Sequence, residues 1–216
     1  MGNEMKYEWN LAFRIDHWVR FLAIVILVIT GFYIHWPYMA GGPDSFIMEW
    51  MKFFHFLAAY ALVLGLVVRI YLAFNSRFSS DWKDFGIGKN LAGVPDMLGY
   101  YLFIKGSHKD YGRYNPLQAF AYLFVALLII FTALTGAALY KGNAFGVINA
   151  ASSFRWVSNM LGGESYVRIW HFLSMWIFII FLMVHVYLSL LITATNKDRS
   201  FTSIITGYKL LKKKSV

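Results

Sequence analysis

Apolar residues in this chain run unbroken over four long stretches instead of alternating or keeping to one helical face. The stretches lie near residues 18–38, 53–74, 117–140 and 169–194. Each meets the roughly 20 apolar residues that a helix needs to cross a hydrocarbon core. A helix closes its backbone hydrogen bonds within itself, which a lipid interior demands. The segment between the second and third stretches, 75–115, is too long for a simple turn. Within it, LAGVPDMLGYYLFIKG predicts a short amphipathic helix lying on the membrane surface. Before the fourth stretch, GNAFGVINAASSFRWVSNMLGGES is polar and rich in small residues, and reads as a loop able to dock a partner. No internal repeat stands out. Residues 1–216 therefore read as one domain, an all-α integral membrane protein built as a four-transmembrane-helix bundle.

Composition agrees: 59% of the 216 residues are hydrophobic and 19% aromatic, too apolar for a soluble domain. The first stretch follows a tail of mixed charge and lacks a small-residue cleavage site, so it reads as a retained helix and not a signal peptide. There is no cysteine, which removes disulfides, thiolate catalysis and iron–sulfur or thiolate–haem ligation from this chain. The net charge is +9, and its placement carries the information. Of the 20 Lys and Arg, only Lys52, Lys141, Arg155 and Arg168 fall on one side of the four spans. The rest flank the termini and the 75–115 connection, so both termini and that connection are expected in the cytoplasm. The basic excess reads as topology and attraction to membrane lipid, not as nucleic-acid binding.

That topology sorts the histidines by depth. Helix one rises outward from His17, helix two descends from His55, and helix four descends from His171 to His185. The last two are fourteen residues apart, about 21 Å of rise and nearly whole turns, so they share a face. Two pairs result: His17 with His185 toward the inner face, and His55 with His171 toward the outer. Each pair joins two helices, as a bis-imidazole haem held inside a bundle requires. Ionisable residues inside a membrane are expensive and point to function.

Further positions fit the same frame. Arg69 lies fourteen residues after His55, level with the inner pair, and could neutralise a haem propionate. Arg20 and Arg168, one turn from His17 and His171, are propionate candidates too. Gly31, fourteen residues after His17, could admit a flat porphyrin against the helix backbone. Arginines at helix ends also snorkel to headgroups, and membrane glycines also serve helix packing. His35, in GFYIHWPY, reads as part of an interfacial aromatic belt, with a rival role as outer ligand. His108 lies in a polar connection, solvated or relaying protons.

Together FRIDHWVRFLAIVILVITGFYI, FFHFLAAYALVLGLVVRIYLAF, PDMLGYYLFIKG, YNPLQAFAY, GGESYVRIWHFLSMW with its following HVY, and RSFTSIITGYK cover nearly the whole chain. This set resembles the cytochrome b subunit of membrane-bound nickel–iron hydrogenases. The resemblance implies a bacterial inner-membrane, multi-pass protein with two haem b groups, their iron bound by His17, His55, His171 and His185. It implies the small and large subunits of a periplasmic hydrogenase as partners, as part of a hydrogen:quinone oxidoreductase. It also implies that a quinone, menaquinone or ubiquinone, is reduced near the inner haem, with Asn115 as its contact and Gln118 as a second. Asn115-Pro116 equally suits the start of helix three. Electrons would enter at the outer haem and leave at the inner one.

Two other assignments compete. The same unit would serve a formate dehydrogenase, whose cytochrome b subunit is a more distant likeness, or another periplasmic oxidoreductase. A four-helix transporter with histidine-lined proton or metal sites would need helices broken near the midplane, and these read as continuous.

Overall fold

The computed structural model describes residues 4–37, 45–75, 92–106, 114–144, 148–196 and 200–211. His108, most of the basic residues of the 75–115 connection, and Lys212 to Lys214 lie outside these residues. In chain order the elements are β1 (Glu4–Tyr7), α1 (Leu11–His35), α2 (Phe46–Phe74), α3 (Val94–Tyr101) and α4 (Pro116–Leu139). They are followed by β2 (Asn143–Ala144), β3 (Ile148–Asn149), α5 (Ala150–Ser153), α6 (Arg155–Leu161), α7 (Glu164–Asn196), α8 (Ser200–Thr206) and β4 (Tyr208–Leu211). The fold is all-α, and α1, α2, α4 and α7 are the four helices long and apolar enough to cross a membrane.

The helices overrun their apolar stretches because polar residues at their ends are still helical. α1 starts seven residues early, where the Asn10 side chain accepts from the Ala12 N–H at 3.0 Å. α2 starts at Phe46, with Ser45 Oγ accepting from the Met48 N–H at 3.2 Å. Its first turns carry Glu49 and Lys52, paired at 2.9 Å in an i,i+3 geometry that supports a helix while lowering hydropathy. α3 is shorter than the amphipathic stretch around it, but its buried residues, Met97 and Tyr101, lie one turn apart on one face.

Two compact units divide the chain. Unit 1 takes Met1–Trp18, Val67–Ala126 and Met183–Val216; unit 2 takes Val19–Leu66 and Leu127–Leu182. Within unit 2 the buried positions mix small residues such as Ala23, Thr30, Ala58, Thr135, Ala138 and Ser174 with larger ones such as Tyr33, Met48, Leu62, Ile129 and Phe178. Large aliphatics on the same helices face outward, with Leu22 and Ile29 more than half exposed beside Ala23 and Thr30 at 3% and 4%. Large aliphatics on the outside suit lipid, and the small residues among the buried ones let helix backbones approach closely.

The connection after α4 is not the open loop its polarity suggests. Val157 and Leu161, one turn apart on α6, pack with Phe154 against Ala138 of α4 and Val167 of α7. α6 then stops at Gly162, whose φ of +89° is the left-handed conformation that ends helices.

In unit 1 the two ends of the described chain meet. β1 and β4 pair antiparallel, Tyr7 opposite Tyr208, a ribbon too short for hydrophobic alternation to reveal. Residues 4–7 and 208–211 therefore lie together, as an even number of membrane crossings requires. The hinge is Gly207, with φ +87°; its carbonyl accepts from the Glu8 and Trp9 N–H groups at 2.8 and 3.2 Å. A Cβ there would meet the Trp9 carbonyl oxygen at 3.1 Å. Gly207→Ala is expected to cost about 1–2 kcal/mol and to lower the thermal midpoint in detergent followed by circular dichroism. Gly106→Ala, whose added Cβ would meet nothing within 4 Å, should leave that midpoint unchanged; equal melting of the two variants would refute the hinge.

Candidate haem sites

Each unit contains one pair of histidines. In unit 2, His55 of α2 faces His171 of α7, with ring centres 6.3 Å apart and planes at 62°. In unit 1, His17 of α1 faces His185 of α7, also at 6.3 Å, with planes at 40°. The structure thus brings together the two pairs that counting along the helices associates. Both members of each pair are set well inside their helices, not at the first residue, because the helices begin earlier than their apolar stretches.

The separation has a chemical meaning. Two imidazole–metal bonds of about 2 Å, plus roughly 1.1 Å from each nitrogen to its ring centre, span about 6 Å between centres. The 6.3 Å between ring centres in each pair is close to that span. Among the described residues no group of three or more His, Cys, Asp or Glu side chains gathers. A bare ion would therefore find two protein ligands, whereas haem iron brings four nitrogens of its own and needs two axial ones. The residues present fit haem.

The surroundings of the unit 2 pair are specific. Thr30 Oγ1 lies 2.8 Å from His55 Nδ1, and Thr135 Oγ1 lies 3.0 Å from His171 Nδ1. Both threonines are buried. Gly31 and Gly136 follow them directly; a Cβ on Gly31 would sit 3.5 Å from His55 Cε1, and one on Gly136 only 3.0 Å from His171 Cε1. Gly136 therefore makes room for an imidazole edge, while a Cβ at Gly31 would stand in ordinary contact with His55 Cε1 and Met175 Sδ. Sequence reasoning missed Thr30, Thr135 and Gly136. The signal available was the repeated Thr-Gly dipeptide, in ITGFY and LTGAA, but the third copy, Thr206-Gly207, is merely a helix stop.

The arginines sit as follows. Arg69 lies in unit 1 with its guanidinium 4.9 Å from the centre of the Phe13 ring, one turn before His17. Arg168 is half-exposed and pairs with Glu164 at 3.1 Å, one turn back on α7. Arg20 is partly buried on α1, one turn beyond His17. His35 is exposed and lays its ring flat on Phe172, centres 4.1 Å apart, with Trp36 against its edge.

Asn115 and Gln118 form a reciprocal cap at the start of α4. Asn115 Oδ1 accepts from the Gln118 N–H at 2.8 Å, and Gln118 Oε1 accepts from the Asn115 N–H at 3.0 Å. Asn115 Nδ2 also donates to the Tyr101 phenol oxygen at 2.9 Å. Burial pushes the Tyr101 phenol above its ordinary range, and the Asn115 bond opposes this only in part. Tyr101 therefore stays a protonated donor at neutral pH. Because the two cap bonds are mutual, Asn115→Ala and Gln118→Ala should each cost about 1 kcal/mol of stability. The double variant should cost less than their sum in detergent melting curves; strict additivity would show the caps act independently.

The family described as prokaryotic cytochrome b561 matches residues 8–207. A probable Ni/Fe-hydrogenase B-type cytochrome subunit of Cupriavidus necator is 32% identical, with 98% of this chain and 90% of that protein covered. The subunit of the same description from Azotobacter vinelandii is 30% identical over 95% and 89%. A probable Ni/Fe-hydrogenase 1 B-type cytochrome subunit of Escherichia coli is 29% identical over 94% and 90%.

Proposed function

The chain belongs to the prokaryotic cytochrome b561 family, and from that premise we propose that it is the dihaem b-type cytochrome of a membrane-bound nickel–iron hydrogenase. The observation that carries this reading is the presence of two imidazole pairs, each at 6.3 Å. His17 with His185 and His55 with His171 would each hold one haem b. Haem iron clamped by two histidines supplies reversible one-electron transfer and offers no open position to oxygen.

The chain's own residues set the conditions for that chemistry. The apolar helices exclude water from both pairs. Arg69 and Arg20 offer cations toward propionates of the His17–His185 site, and Arg168 offers one at the other by exchanging Glu164 for a propionate. The description of the relatives as Ni/Fe-hydrogenase subunits supports a hydrogenase as partner, and its small and large subunits would be the chains this cytochrome serves. The distribution of Lys and Arg supports cytoplasmic termini in a bacterial inner membrane, and the β1–β4 pairing supports their lying on one side. The electron acceptor is a quinone near the cytoplasmic face, met by Asn115 and Gln118. Asn115 Nδ2 would turn from Tyr101 to a quinone carbonyl. Carrying charge inward opposes a negative-inside potential by about 2.3 kcal/mol per 100 mV, so this arrangement would conserve energy.

The test is haem stoichiometry in the chain purified with its hydrogenase. The wild type should carry two haems with b-type bands after dithionite. His55→Ala, His171→Ala, His17→Ala and His185→Ala should each keep about one, and His35→Ala both. Hydrogen-driven quinone reduction in membranes should fail in all four ligand variants. A colourless wild type, or one that loses a haem only when His35 is replaced, would sink the assignment.

A further inference from the structure

We propose that two Thr-Gly dipeptides, Thr30-Gly31 on α1 and Thr135-Gly136 on α4, are the positioning devices of the His55–His171 site. They fix the tautomer and ring plane of each histidine and thereby set the reduction potential of the haem held there. The inference rests on the haem reading of that pair.

The hydrogen-bond directions follow from proton counting. A threonine hydroxyl has one proton. Thr30 Oγ1 lies 2.7 Å from the Ile26 carbonyl oxygen, and Thr135 Oγ1 lies 3.0 Å from the Phe131 carbonyl oxygen. A carbonyl can only accept, so each hydroxyl proton is committed to its own helix. With the proton so placed, Oγ1 is an acceptor toward the histidines, and Nδ1 of both rings is assigned as the protonated nitrogen. Nε2 of each ring is left with its lone pair, the form in which imidazole binds a metal.

The glycines complete the device. Thr30 and Thr135 can reach Nδ1 only if the imidazole edge lies against the next residue on their helix. A Cβ at Gly136 would stand 3.0 Å from His171 Cε1, closer than a methyl group tolerates, whereas one at Gly31 would stand at an ordinary 3.5 Å from His55 Cε1. The cradle is therefore tight on α4 and looser on α1. The helices that carry no ligand of this pair, α1 and α4, are the ones that orient it.

An acceptor on Nδ1–H makes the imidazole more electron-donating and so favours ferric iron. Thr30→Val keeps the shape and removes the acceptor. It should shift the ferrous-to-ferric ratio of this haem about tenfold toward ferrous at a fixed applied potential. Thr135→Val should shift it in the same direction. Thr30→Ser and Thr135→Ser should restore the wild-type ratio. Gly136→Ala should change the low-spin ferric EPR signal, which depends on the angle between the imidazole planes, while Gly31→Ala should leave it alone.

The experiment is a spectroscopic redox titration with EPR on the chain purified with both haems, using the His17–His185 haem as internal reference. Loss of this haem in a valine variant that its serine counterpart retains also supports the proposal. Unchanged ratio and EPR signal in the fully loaded Thr30→Val, Thr135→Val double variant would overturn it, as would equal effects of Gly31→Ala and Gly136→Ala. A wild type without b-type bands would instead remove the haem reading itself, so the two failures are distinguishable.

Discussion

A neutral imidazole carries one donor and one acceptor nitrogen, and a lipid-facing helix offers neither of them a partner. Leaving such a group unpaired in an apolar interior costs a few kcal/mol, so every histidine placed there must be answered by another helix. In unit 2 this requirement is met in layers. Thr30 and Thr135 hydroxyls lie within hydrogen-bond distance of the two Nδ1 atoms, accepting from them in the proposed tautomer, and the ring centres stand 6.3 Å apart. Two lone pairs cannot satisfy each other; an electrophile between them satisfies both. The pairing of the histidines, the buried hydroxyls and the glycines beside them all follow from that need.

The same constraint explains the texture of the bundle. Lipid supplies no hydrophobic force between helices, so association rests on close packing and interhelical hydrogen bonds, of order 1 kcal/mol each. Buried positions in unit 2 accordingly include Ala23, Thr30, Ala58, Thr135, Ala138 and Ser174 among larger residues such as Tyr33, Leu62 and Phe178. The threonine–histidine bonds tie α1 to α2 and α4 to α7, so the contacts that orient the ligands also hold the helices together.

The four helices were legible because lipid thickness imposes a length on apolar runs, and the histidine pairs because depth along a helix is a linear count. Helix ends were less legible: Asn10, Ser45 and the Glu49–Lys52 pair are helical yet polar, so hydropathy stops short of them. The threonine and glycine partners were invisible for a different reason. They lie on helices that contribute nothing else to that pair, and which residues they meet depends on helix rotation, which periodicity does not determine in a segment apolar all round. The α6 packing and the β1–β4 ribbon were missed because both elements are short and gain their stability from distant contacts with Ala138, Val167 and Trp9.

The chemistry of the buried polar groups differs between the units, and the difference bears on where protons can enter. In unit 2 the buried hydroxyls of Thr30, Thr135 and Ser174 all donate to carbonyls of their own helices, at 2.7, 3.0 and 2.9 Å. None of these three has a proton free to give, although the same unit also buries the Tyr33 phenol. Unit 1 holds a buried carboxylate, Asp16, and a buried phenol, Tyr101, bonded to the amide of Asn115. Groups of that kind can donate and be resupplied. Quinone reduction takes up one proton for each electron delivered, whereas transfer between bis-histidine irons takes up none. The quinone site proposed at Asn115 and Gln118 would thus have the Tyr101 phenol beside it as a proton donor.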